Sequence, residues 1–186
     1  MGLYGDKLTL STFSSIDHLT RASGSGQDNL AEIFPSEEVV NGSDWTDTKA
    51  DGLADNWLSS KGTPSIIDDE LGFTGRAQKV LRAATGGDLS QLIAPAGEFT
   101  TYRLSFKYYL HDESGTTLNM KVSFASTELI TVTTLAALTY VEVDFYVGEG
   151  AGSSLLFEMQ NFAAGDYFVV DEVSLKIIGA DKLGIN

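Results

Sequence analysis

Between Tyr102 and Leu110 the chain alternates strictly. Tyr102, Leu104, Phe106, Tyr108 and Leu110 fall on one parity, and Arg103, Ser105, Lys107 and Tyr109 on the other. A period of two places successive side chains on opposite faces of an extended strand, so such a run buries one face only as part of a sheet. The pattern recurs. Met120, Val122 and Phe124 alternate with Lys121, Ser123 and Ala125; Thr139, Val141, Val143, Phe145 and Val147 alternate with Tyr140, Glu142, Asp144 and Tyr146. Leu155, Phe157 and Met159 form another run, and Tyr167–Ile177 the last. Turn-rich stretches such as Asp112-Glu113-Ser114-Gly115 and Gly148–Gly152 separate them, and no helical periodicity intervenes. Half-buried alternating strands joined by turns predict an all-β chain, an antiparallel β-sandwich.

The 186 residues are 42% hydrophobic and 10% aromatic, enough to build one real core. Twelve Lys and Arg against 26 Asp and Glu leave a net charge of −14. A surface of that sign repels phosphate backbones and anionic lipid, which argues against nucleic-acid binding. No apolar run approaches the length of a membrane span, so no membrane insertion is expected. The absence of cysteine removes disulfides, thiolate metal sites and cysteine nucleophiles, and two histidines, His18 and His111, cannot build a multi-histidine centre.

Residues 1–37 differ from the rest. They are rich in Ser, Thr and Gly, with Arg21–Gln27 of linker composition, and are expected to form an extended N-terminal arm or assembly anchor. The sandwich is expected over residues 38–180, with 181–186 as a C-terminal tail. Met1–Lys7 shows no basic segment leading into an apolar one, so a complete product without a secretory signal is expected.

One segment carries a family resemblance. Asn41-Gly42 followed by Asp51-Gly52-Leu53-Ala54-Asp55-Asn56-Trp57, with Asp171-Glu172-Val173-Ser174-Leu175 near the end, is similar to the opening and closing motifs of galactose-binding-domain-like jelly rolls. Carbohydrate-binding modules of the family 4, 9 and 22 type are the particular likeness, over about residues 39 to 178. The resemblance implies a jelly roll, and a structural Ca²⁺ in which a glutamate after the Asn-Gly pair takes part. Here Asp44-Trp45 stands in that place, so Asp44 and Asp171 become the candidate Ca²⁺ ligands.

Asp171 shares parity with Val173, Leu175 and Ile177, which points its carboxylate toward the core. A buried carboxylate needs a metal, a cation or N–H donors, and both the metal and the N–H reading stand. Asp47, Asp51 and Asp55 suggest a calcium loop, but Lys49 occupies the middle ligand position and Leu58 the twelfth, so an Asp/Gly turn is expected instead.

Tyr109, Arg103 and Lys107 share a solvent-side face, as do Tyr140 and Tyr146 on another strand. Aromatic planes stack on sugar rings while charged neighbours bind hydroxyls, so these five residues with Trp45 are candidate glycan ligands; cross-strand packing or a subunit interface would use the same residues. Trp57 is expected in the core. No nucleophile elbow, phosphate loop or paired catalytic carboxylates are evident, and a non-enzymatic protein is expected.

Two functions fit. The first is a structural or assembly protein of a virus particle, a bacteriophage head-decoration, fibre or tail-associated subunit assembled in the host cytoplasm. It would bind other virion proteins or copies of itself through residues 1–37, and a surface glycan through the sandwich. The alternative is a free or accessory carbohydrate-binding module, placed outside the cell.

Overall fold

The computed structural model describes residues 38–180 except 94–99, 114, 116 and 149–153. The expected arm and tail lie outside the described residues. The strands are β1 (Thr63–Asp68), β2 (Arg76–Leu81), β3 (Asp88–Leu92), β4 (Thr100–His111), β5 (Asn119–Phe124), β6 (Thr127–Val132), β7 (Thr139–Val147), β8 (Ser154–Gln160) and β9 (Tyr167–Ala180). They form a five-stranded sheet in the order β1-β2-β9-β4-β7 and a four-stranded sheet in the order β3-β8-β5-β6. Every pairing is antiparallel. Among the described residues there is no helix, and so none long and apolar enough to cross a membrane. The chain is the expected jelly-roll sandwich.

The alternating runs supply the core as their parity requires. Tyr102, Leu104, Phe106, Tyr108 and Leu110 of β4 are all buried, facing Met120, Val122 and Phe124 of β5 and Leu155, Phe157 and Met159 of β8. Phe106 meets Phe157 edge to face, with centroids 5.2 Å apart, across the two sheets. Each such side chain contributes about 1.5–3 kcal/mol on burial. β4 lies between β9 and β7, so its inner row forms the middle of the core and its outer row the middle of an exposed face.

The segment before β1 closes one flank of the sandwich. β2 pairs with β9 only from Tyr167 to Val170. Beyond that point residues 38–42 run along β9 instead: the Glu38 N–H donates to the Leu175 carbonyl and the Val173 N–H to the Gly42 carbonyl, both at 2.8 Å. Gly42 is required here, because a Cβ would collide with the Val173 carbonyl oxygen. In the other sheet Leu58 bridges to Ser90 and covers the edge of β3.

Two glutamines tie this segment down. The Gln78 side chain, fully buried, accepts the Ala54 N–H at 2.9 Å and donates to the carbonyls of Gly52 and Ser65. Gln91 accepts the Val40 N–H and donates to the Val40 carbonyl. Ala54 is buried whereas Val40 is 55% exposed, so water can replace Gln91 but not Gln78. Gln78→Leu is therefore expected to lower unfolding free energy by about 2–3 kcal/mol, and Gln91→Leu by clearly less. Urea denaturation of the two variants checks the order.

Candidate functional site

The outer face of β9, β4 and β7 is organised by register. Tyr140 stands opposite Lys107, Glu142 opposite Ser105 and Asp144 opposite Arg103. On the other side of β4, Asp171 pairs with Lys107, Ser174 with Ser105 and Lys176 with Arg103. Ser105 and Ser174, both half-buried, form the floor of a groove of about 420 Å³. Tyr140, Glu172 and Lys176 line it together with Asn41, Gly42, Ser43 and Asp44 from the segment beside β9.

Charge on this face is paired. The Arg103 guanidinium grips both carboxylate oxygens of Asp144, at 2.7 and 2.9 Å, and lies 3.3 Å from Glu142. Those contacts raise the guanidinium pKa, and Arg103 holds the Asp144 carboxyl below its usual range. Lys107 is hydrogen-bonded to Glu172, which raises its ammonium pKa. The Tyr140 hydroxyl donates to Glu142 at 3.1 Å, leaving the ring 56% exposed beside the groove. The groove and the sheet face beside it thus offer hydroxyls, oriented ion pairs and one aromatic face, the chemistry that matches a polyhydroxylated ring.

The sequence candidates divide accordingly. Tyr140 and Asp44 line the groove, while Arg103 and Lys107 lie beside it on the same sheet face, opposite Asp144 and Tyr140. Tyr146 is exposed but sits about 20 Å further along β7, six residues from Tyr140. Tyr109 belongs to a separate cluster with Ile67, Phe73, Ala77 and Val169, where its ring stacks on Tyr167 at 6.4 Å. Tyr167 is in turn flanked from the neighbouring strands by the His111 ring at 4.5 Å and the Lys79 ammonium at 3.9 Å. Neither ring is left open as a platform. Sequence reasoning missed Ser105, Ser174 and Glu172, and also the His111–Tyr167 stack. His111 shares parity with Tyr109, which was a readable signal; the rest required the register.

Trp45 corrects an expectation. It is fully buried, packed on Trp57 at 5.3 Å, and presents no face to a glycan. Its indole N–H instead donates to Asp171 Oδ1 at 2.8 Å. Asp171 corrects a second. The pairing of β4 with β9 shifts between Ser105 and Lys107, where Glu172 takes φ 48° and adds one residue to β9. Asp171 therefore lies across from outward-facing Lys107, on the opposite face to Val173 despite sharing its parity. It is still only 3% exposed.

The N–H donors that a buried carboxylate needs are present at Asp171. Asp171 Oδ1 takes two N–H donors, from the Trp45 indole at 2.8 Å and from the Glu172 backbone at 2.7 Å. Asp44 is exposed, and among the described residues no three His, Asp or Glu side chains gather to hold a metal. Burial pushes the Asp171 carboxyl above its ordinary value, partly offset by the Trp45 and Glu172 N–H groups. Asp47 closes its loop by accepting the Gly52 N–H at 2.8 Å, the Asp/Gly turn expected there.

No protein-family model and no curated protein sequence matches the chain. Solved structures do match in fold. The enzymatically active domain of bacteriophage CBA120 tailspike protein 4 superposes with a TM-score of 0.55 at 15% identity, over 76% of this chain and 21% of that one. This chain thus spans about a fifth of the tailspike domain. A family 16 carbohydrate-binding module gives 0.53 at 19% identity, over 74% of this chain and 98% of the module. The module TmCBM61, solved with β-1,4-galactotriose, gives 0.52 at 21% identity, over 75% and 97%. The fold is the jelly roll of carbohydrate-binding modules.

Removing the indole N–H should expose its role through pH. A folded-state pKa above the unfolded one costs stability as pH rises, because the charged carboxylate is better solvated in the unfolded chain. Trp45→Phe deletes the donor that holds the charged form. Its loss of stability is expected to be about 1–3 kcal/mol near neutral pH and to shrink as pH falls below the ordinary carboxyl value, where Asp171 is neutral in both states. Urea titrations of variant and wild type across that range read the difference.

Proposed function

We propose that this protein is a non-catalytic module of a bacteriophage particle, of decoration, fibre or tail-associated kind, that meets surface glycan through the groove beside Tyr140. The observation that carries the glycan contact is the groove itself, with a serine floor and one exposed aromatic ring, beside a face of ion pairs. The particle setting draws support from the fold likeness to a phage tailspike domain and from the arm composition of residues 1–37. Glu142 and Asp144 are both held by Arg103, and Glu172 by Lys107, an arrangement that suits binding rather than the paired acid and base of a glycosidase.

A free or accessory carbohydrate-binding module is the second reading. It is favoured by likenesses that take in 98% and 97% of whole modules.

Binding of the full chain to immobilised bacterial surface polysaccharides, and in parallel to β-1,4-galactan and xylan, separates the two. Affinity for a bacterial polysaccharide, reduced about tenfold by Tyr140→Ala with unchanged thermal unfolding, is the expected result. Affinity for the plant polymers alone supports the second reading. Binding to neither removes the glycan contact.

A further inference from the structure

The four sheet edges are not equally protected. β1 carries Pro64, β3 is covered by Leu58, and β6 is six residues long beside a register shift. β7 has none of these devices. It is nine residues long, contains no Pro, Gly, Lys or Arg, and pairs with β4 without a break from Thr139 to Val147. Among the described residues no strand occupies its other side. A long, regular edge without Pro, bulge or cover is a template for another strand.

The residues of β7 indicate which strand. Read outward from Val143, the sequence is a chemical palindrome: Glu142 mirrors Asp144, Val141 mirrors Phe145, Tyr140 mirrors Tyr146, and Thr139 mirrors Val147. Antiparallel pairing of two identical strands about a two-fold axis at Val143 sets each residue opposite its mirror. Val141 would then face the partner's Phe145 on the inner side, and Tyr140 the partner's Tyr146 on the outer side.

Packing and charge agree with that arrangement. Val141, Val143, Phe145 and Val147 point toward the core but are only partly buried, and a groove of about 230 Å³ lies open between the last three and Leu129 of β6. The inner row of a second β7 would extend over that groove. Glu142 would face the partner's Asp144, a like-charge contact. Each copy brings an Arg103 already seated between its own two carboxylates, which offsets the repulsion.

We propose that β7 is a self-association edge, and that two copies pair through it about an axis at Val143 to make one continuous ten-stranded sheet. The pairing would set Tyr140 beside the partner's Tyr146, so the outer aromatic rings that lie far apart in one chain become neighbours in the dimer. This inference does not depend on the glycan or particle reading.

The absence of native cysteine makes the register directly testable in the full chain. Sedimentation of the wild type over rising concentration is expected to show a monomer–dimer equilibrium. Under mild oxidation Val143→Cys is expected to form a disulfide-linked dimer, since the axis brings residue 143 within disulfide reach of its own copy. Tyr140→Cys alone is expected not to link, its two copies lying about 20 Å apart, whereas a mixture of Tyr140→Cys and Tyr146→Cys is expected to link. A wild type that stays monomeric overturns the proposal. So does a dimer in which Val143→Cys fails to link, or one in which Tyr140→Cys links to itself as readily.

Discussion

The hydrogen bond from the Trp45 indole to Asp171 holds the point where this sandwich would otherwise come apart. β2 leaves β9 after Val170, and the remaining length of β9 needs a new neighbour. Residues 38–42 supply it through backbone hydrogen bonds and the Gln91 side chain. Trp45 adds a large buried ring packed on Trp57, which continues onto Phe157, and delivers its polar end to a carboxylate at the bulge. Trp45 and Glu172 both adopt left-handed backbone, φ 45° and 48°, a conformation that costs a non-glycine residue about 1–2 kcal/mol. The contacts between the two segments offset that strain.

The same junction bears on the Ca²⁺ that the family resemblance implies. A carboxylate at this position can be satisfied by a metal or by N–H donors, and the residue at position 45 decides between them. An acid there would add oxygen ligands; tryptophan adds a donor. Asp88 follows the same logic elsewhere, accepting the N–H groups of Ser60 and Lys61, as does buried Asp166 with those of Ala163 and Glu113. These acids act as loop anchors.

The outer face of the five-stranded sheet is divided by what covers it. Toward β1 and β2, the turn carrying Phe73 folds over Ala77 and Val169 and draws in Tyr109 and Tyr167. Toward β7 nothing comparable intervenes among the described residues, and the face stays polar, paired in charge and shallow. One sheet surface therefore serves as a small second core at one end and as a candidate recognition surface at the other. The ion pairs there lie in solvent and add little to stability; their effect is to hold donors and acceptors in fixed directions around Ser105 and Ser174.

Much of the fold was legible in the residues themselves. The period-two runs located β4, β5, β7, β8 and β9, because one buried face imposes alternation wherever a strand lies on a core. The Asp51–Trp57 and Asp171–Leu175 motifs pointed to the jelly roll, and Trp57 to the core. The candidate site was legible only in part. Arg103, Lys107 and Tyr140 were named correctly as outward-facing, but Tyr109 was grouped with them because parity records a face and not what covers it. Parity also failed at Asp171, where one extra residue in β9 exchanges the two sides. Local alternation thus determined which residues extend and which side each would bury, since those depend on backbone geometry within a strand. Strand order, register, the bulge and the covering of each face depend on pairings between residues as far apart as Glu38 and Leu175, or Trp45 and Asp171, and only the tertiary structure decided them.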